Sequence, residues 1–141
     1  MPSAALYLAV LGFFPSKQPS PVAVFTSEAC TKHQPGGFLD THPESPRRLK
    51  GLLKAARSEW SAEFGESMRL LEPEADVTEE QLLRVHTRAH VDKVADAFQQ
   101  AARWPLPQYL DADTVVGKGT QEAATRAAGL VIAAVDAVFG N

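Results

Sequence analysis

An α/β fold with a parallel strand pair is predicted from three stretches of the chain. Val22 to Thr26, Val-Ala-Val-Phe-Thr, is a short β-rich apolar run of the kind a parallel sheet buries on both faces. From Pro46 onward, Leu49, Leu52, Leu53, Ala56, Trp60 and Phe64 recur at helical spacing and turn one face inward. Met68 to Leu71, Met-Arg-Leu-Leu, is a second strand-like run. A strand, a helix and a strand in that order predict two adjacent parallel strands with the helix crossing over between them, right-handed.

The size fits one globular domain or part of a larger one: 141 residues, 45% of them hydrophobic and 22% charged. Fourteen Lys and Arg stand against 17 Asp and Glu, for a net charge of -3. No basic run offers a grip on nucleic-acid phosphates, so direct nucleic-acid binding is not expected. The one cysteine, Cys30, excludes an internal disulfide. Two regions are expected. Residues 1–21 form an apolar N-terminal extension with a Pro/Ser linker, and residues 22–141 form the folded part. In the extension, Ala4 to Phe14 is apolar but too short to span a bilayer, and no Lys or Arg precedes it. A targeting segment, a short buried element and a gene-model artefact stay open for it, so the compartment is left unassigned.

The central stretch is residues 40–49, Asp-Thr-His-Pro-Glu-Ser-Pro-Arg-Arg-Leu. Pro43 and Pro46 push the residues before them out of the helical region. Ser45 is the expected N-cap, and Pro46 occupies the first helical position, where its missing N–H costs nothing. Residues 27–45, rich in Gly and Pro, form a long loop, with Pro35-Gly36-Gly37 as a turn. Gly65 is the expected stop of the first helix.

Further along, Thr78-Glu79-Glu80-Gln81 is a capping box opening a short helix. Thr87 caps the next helix, whose stripe is Val91, Val94, Ala95, Phe98 and Ala102, and which Trp104-Pro105 ends. Leu106 to Gly119 reads as a loop. Thr120 is the expected cap of a last helix, with Glu122 favoured in its first turn by the helix dipole. From Ala123 to Phe139 that helix is apolar on nearly all sides, so burial of most of its surface is expected.

Several residue sets carry candidate chemistry. His86 and His90 have the spacing of zinc-protease ligands, but Thr87 stands where a Glu is needed and interrupts the helix, so no metal site is expected there. His33, His42 and Glu44 come from one loop without ligand-type spacing. Asp111 and Asp113 suit a cation, a substrate amide or, more ordinarily, a turn. Cys30 has no activating partner in sequence. No nucleophile elbow, phosphate loop or dinucleotide fingerprint is present.

Four segments in order carry a family resemblance. They are Val24-Phe25 followed by His42-Pro43-Glu44-Ser45-Pro46-Arg47-Arg48-Leu49; Thr78 to Thr87; Leu110-Asp111-Ala112-Asp113-Thr114; and Ala123 to Gly129 with Val135-Asp136-Ala137-Val138. Together, over about residues 22–141, they resemble the N-terminal part of the histone deacetylase superfamily, on the side of the class II-like and acetoin-utilisation-type deacetylases. The resemblance implies an arginase/deacetylase-like α/β fold, a mostly parallel sheet flanked by helices. It implies hydrolysis of an N-acetyl amide of acetyl-lysine or an acetylated polyamine, on a zinc ion held by the complete domain. It places His42, Pro43, Glu44, Pro46 and Arg48 in the active-site loop, with Arg48 towards an inner cavity. Asp113 falls on the substrate-binding rim, or Asp111 if the loop is shifted. Arg48 and Asp113 are then expected to face one concavity.

The family's His-His pair, its Asp/His/Asp zinc ligands and its transition-state Tyr or His lie beyond the last helix, and the sequence stops at Asn141 before any of them. The resemblance therefore implies the front part of a deacetylase, with no catalytic residue and no metal of its own. The alternative is a non-catalytic interaction or folding module derived from that fold.

Overall fold

The computed structural model describes residues 21–35, 42–104, 106 and 108–140. The apolar N-terminal run, the linker up to residue 20, Gly36-Gly37 and Pro105 lie outside the described residues.

The architecture is mixed α/β. Strands β1 (Val22–Phe25) and β2 (Met68–Leu71) pair in parallel, Val22 opposite Met68 and Phe25 opposite Leu71. The amide of Thr26 continues the ladder to the Leu71 carbonyl at 2.9 Å. The crossover is helical, as the apolar stripe predicts. The strand pair differs from expectation in its cover. Val22 and Ala23 are exposed, and only the far end of β1 sinks towards the helices.

The first helix, α1 (Pro46–Ala55), starts as the sequence predicts. Ser45 Oγ accepts from the Arg47 amide, and Pro46 is the first helical residue. It does not run unbroken to Phe64. Residues Ala56–Trp60 make a π-helical turn before α2 (Ser61–Phe64). Two serines act on this stretch: the Ser58 hydroxyl donates to the Lys54 carbonyl at 2.7 Å, and the Ser61 hydroxyl donates to the Ala56 carbonyl at 2.6 Å. The extra residue shifts the stripe. Leu53 and Ala56 are buried, Leu49 and Trp60 are half-buried, and Phe64 and Leu52 stay exposed. Gly65, at φ 49°, ends the helix in a conformation that favours glycine. The Arg57 guanidinium, from the π turn, reaches Glu28 and Glu72, and so ties the ends of both strands to the crossover.

Helix α3 (Glu79–Leu83) opens with the predicted capping box: the Gln81 amide donates to Thr78 Oγ1 and the Thr78 amide to the Gln81 side chain. Helix α4 (Arg88–Arg103) is capped by Thr87, whose Oγ1 accepts from the His90 amide. Its buried face is Ala97 and Ala101, flanked by half-buried Phe98; Ala95 and Ala102 of the expected stripe are exposed. The cause is the neighbour. The stretch expected to be loop holds a small antiparallel hairpin, β3 (Gln108–Tyr109) with β4 (Val115–Val116), and Val116 packs on those alanines. Phe98 and Leu110 pack against the edge of this cluster.

Helix α5 (Thr120–Phe139) is the longest element. Its cap is Gly119, not Thr120, whose hydroxyl instead accepts from the Gly117 amide at 2.8 Å. The connector before α3 lies against its middle. The Val77 amide donates to the Thr125 carbonyl, and Arg126 pairs with Asp76 at 2.7 Å. Gly129 is buried under this connector, where a Cβ would collide with the Ala75 carbonyl. The expectation that α5 is buried on most sides does not hold in this chain. Thr120, Ala123, Gly129 and Leu130 are covered, but Val131, Val135, Val138 and Phe139 are 50% to 81% exposed. No helix among the described residues is long and apolar enough to cross a membrane.

Gly129→Ala gives a test whose sign separates the two influences at this position. In an open helix the change stabilises by about 1 kcal/mol, through helix propensity. Here the new methyl meets backbone, so the variant is expected to lose about 1–3 kcal/mol, as overpacked sites do. The urea midpoint checks it, and an unchanged or raised midpoint refutes the close approach.

Candidate functional site

The loop before α1 is built from its prolines and one histidine. The His42 ring nitrogen Nδ1 accepts from the Glu44 amide at 3.2 Å, and the Ser45 amide donates to the His42 carbonyl at 3.0 Å. Pro43 is exposed and Pro46 buried, so the loop has a wet tip and an anchored end. Arg48 turns back over it, its Nη1 donating to the Pro43 carbonyl at 3.1 Å.

A cavity of about 260 Å³ opens beside this loop, walled by Cys30, His33, Glu44, Arg48, Leu49 and Leu52, among others. Cys30 and Leu49 also border a larger hollow of about 490 Å³ between β1, α1 and α5, whose apolar wall includes Phe25, Leu130 and Ala134. Polar groups thus stand at the loop side and apolar ones at the sheet side. Glu44 and Arg48 give the smaller cavity one carboxylate and one cation, suited to orienting a polar ligand.

His33 is the residue the sequence left without a position. It follows a short 3-10 turn (Glu28–Lys32) capped by Ser27, inside the stretch read as loop. That turn packs on the start of α5, where Lys32 pairs with Glu122 at 2.5 Å. The His33 ring then lies between two elements. Its Nε2 faces the Glu44 carboxylate at 3.5 Å, and its Nδ1 is 2.9 Å from Thr120 Oγ1. Carboxylate, imidazole and hydroxyl in a row have the order of an acyl-transfer triad. The geometry excludes that chemistry. Thr120 is buried, and its oxygen already accepts from the Gly117 amide. Nor is Cys30 an activated nucleophile. Burial pushes its thiol up, against a weaker pull from Arg126, so the reactive thiolate is disfavoured. No signal in the sequence links His33 to Thr120, because the contact depends on how the 3-10 turn meets α5.

The rim residues sit in the β3–β4 turn. Asp111 Oδ1 accepts from the Asp113 amide at 3.2 Å and the Thr114 amide at 2.8 Å, the turn role named as the ordinary one. Hydrogen bonding from Thr114, side chain first and backbone second, and from the Asp113 backbone holds its carboxyl at about 2, below the usual 3.8. Asp113 is exposed at the tip. It does not line the cavity that Arg48 lines.

His86 and His90 lie elsewhere, with ring centroids 5.0 Å apart and tilted, beside an apolar hollow of about 300 Å³ between α3, α4 and α5. Among the described residues no group of three His, Cys, Asp or Glu side chains is placed to hold a metal ion. His33, His42 and Glu44 do not form one, since His33 turns to the Glu44 carboxylate while His42 accepts from the Glu44 backbone.

The family model of the histone deacetylase domain matches residues 42–141, beginning at His42 of this loop. No curated protein matches the chain.

Two outcomes test this geometry. The folded pKa of Asp111 is depressed, so its contribution is complete above the ordinary carboxylate range and is lost as pH falls through about 2. The Asp113 and Thr114 amide resonances should stay fixed down to about pH 4 and move with a midpoint near the lower value; a midpoint at the free-Asp pKa, about 3.9, contradicts the turn. Zinc titration of the chain should show no stoichiometric site. Binding that disappears in a His86→Ala, His90→Ala double variant overturns the reading of that pair.

Proposed function

This chain belongs to the histone deacetylase family, and we propose that it supplies the N-terminal, loop-bearing part of a zinc-dependent deacetylase. The substrates of that reading are N-acetyl amides, those of acetyl-lysine in proteins or of an acetylated polyamine. The supporting observation is that the family match starts at His42 and takes in the loop, the hairpin and α5. Residues 22–141 are the partial domain in this reading, and residues 1–21 an extension outside it.

Within it, His42, Pro43, Glu44, Pro46 and Arg48 form the wall of the substrate channel. Proline at 43 and 46 and the Arg48–Pro43 contact hold that wall in one shape before substrate arrives, which lowers the cost of ordering it on binding. Asp113 is the substrate-binding carboxylate on the rim. Asp111 is the weaker candidate, because its Oδ1 is committed to two backbone amides of the turn. The exposed stripe Val131, Val135 and Val138 on α5 is the surface on which further strands of the domain pack, since apolar area of that extent is seldom left in water.

The complete family domain uses zinc to polarise the acetyl carbonyl and activate a water. Among the described residues no three His, Cys, Asp or Glu side chains are placed together to hold such an ion. No step of metal-assisted hydrolysis is therefore assigned to them; they orient a substrate and exclude water beside it.

The expected result for the full chain, expressed alone and supplied with zinc, is no release of acetate from an acetyl-lysine peptide above a metal-free control. Turnover that survives purification and is abolished by a chelator would falsify this, and His33, His42 and Glu44 would be the first ligands to substitute. A separate measurement tests the enzyme reading itself. Genomic sequence downstream of the Asn141 codon should continue in frame through Pro-Gly-His-His and Asp-x-His-x-Gly-Asn-Gly. A frame lacking both leaves a non-catalytic interaction module.

A further inference from the structure

Two segments of the proposed site, the loop of residues 42–48 and the β3–β4 hairpin, are joined by one row of polar contacts. It runs from the Glu44 carboxylate to His33 Nε2 at 3.5 Å, from His33 Nδ1 to Thr120 Oγ1 at 2.9 Å, and from Thr120 Oγ1 to the Gly117 amide at 2.8 Å. Gly117 directly follows β4, whose other side leads through Thr114 and Asp113 to Asp111. We propose that His33 and Thr120 are positioning residues that lock the active-site loop and the rim hairpin into one unit across the N-terminus of α5.

The carboxylate facing Nε2 favours one tautomer of the ring. The Gly117 N–H donates to Thr120 Oγ1, which leaves the hydroxyl its own proton to place. The partner in reach is His33 Nδ1. With the imidazole proton on Nε2, facing the Glu44 carboxylate, Nδ1 is the acceptor and Thr120 donates to it. In this tautomer every group in the row is used in its proper sense. The opposite tautomer could still donate to the second lone pair of the hydroxyl, but it turns the Nε2 lone pair towards a carboxylate. The other charged groups around the ring are committed or remote from the row: Lys32 is paired to Glu122, and Arg48 leans on the Pro43 carbonyl. The ring is largely shielded, with 22% of its surface exposed, and Thr120 is buried, so water is a poor substitute for the His33–Thr120 contact, while the exposed Glu44 carboxylate meets the ring at the solvent edge.

Glu44 enters at the wall of the cavity that Arg48 also lines. Moving the ring therefore moves the carboxylate that would face a ligand. At the other end, freeing the Gly117 amide loosens the residue on which β4 turns into α5. A change at either segment is felt at the other through two side chains, His33 and Thr120.

The significance of this coupling rests on the reading of residues 42–48 and 111–113 as an active-site loop and rim. The coupling itself is measured without activity, so its failure and the failure of that reading are separate results. Nitrogen-edited spectra of the full chain report the tautomer of each of its four histidines, assigned by substitution. His33 should carry its proton on Nε2. Amide exchange is then compared in Thr120→Val, Thr120→Ser and His33→Gln variants. Thr120→Val should speed exchange roughly two- to tenfold, the worth of one hydrogen bond, both at residues 115–117 and at residues 44–48. Thr120→Ser should restore both segments, which a purely volumetric role for the methyl group does not predict. Glu44→Gln, which leaves helix and hairpin sequences untouched, should alter the His33 ring signals and the Gly117 amide together. A proton on Nδ1, or segments that respond one without the other, overturns the proposal. Should Thr120→Val fail to fold, Glu44→Gln and Thr120→Ser still decide it.

Discussion

The structure depends on how closely chain segments can approach α5. That helix is crossed at its N-terminal end by the 3-10 turn of residues 28–32 and at its middle by the connector of residues 75–77. Both crossings put backbone next to backbone, which is possible because the facing helix residues are small. At Gly129 there is no room even for a methyl group. Burial there is carried by shape and by a few directed bonds, Val77 to Thr125 and Arg126 to Asp76, rather than by large side chains. The buried core bears this out: it is mostly Ala and Val, and Val116 is its most enclosed side chain.

The loop side of the candidate site inherits its position from that packing. The 3-10 turn brings His33 to the helix, His33 meets Glu44, and the loop follows. Had α5 presented large side chains at its start, the turn would stand off and the row of contacts would not close. The surface ion pairs add little to this. Lys32–Glu122 and Arg88–Glu79 are largely exposed, and such pairs contribute little.

Local chemistry was legible in the sequence wherever it is decided by near neighbours. Ser45, Thr78 and Thr87 cap as their types and spacings predict, and both strands of the crossover fall where the apolar runs lie. Long-range relations were not legible. The sequence assigned Thr120 to capping because Thr caps helices; the structure gives its hydroxyl to Gly117 and His33 instead, a choice made by a turn more than eighty positions away. The hairpin at 108–116 hid because its strands are two residues each, below what alternation can signal. The π turn hid because Ser58 and Ser61 act on carbonyls already inside a helix-forming pattern. On α4 the expected Val91, Val94 and Phe98 are half-buried, but the deepest positions are Ala97 and Ala101, which the apolar pattern did not single out because their contact is with a hairpin read as loop.

The parallel pair has a consequence for how the chain comes together in time. Val22 and Met68 are some 46 residues apart in sequence, so the loop their pairing closes is long and its entropy is lost before any strand contact repays it. The capping-box helix, α4 and the hairpin close over far shorter stretches. Local elements should therefore assemble first and the strands last. During synthesis the delay is longer still. β1 leaves the ribosome roughly 5–20 s before α5, the helix it packs beside, at ordinary elongation rates. Until β2 emerges, some 46 residues later, the Val-Ala-Val-Phe strand has neither edge paired, which leaves it open to strand addition by another chain.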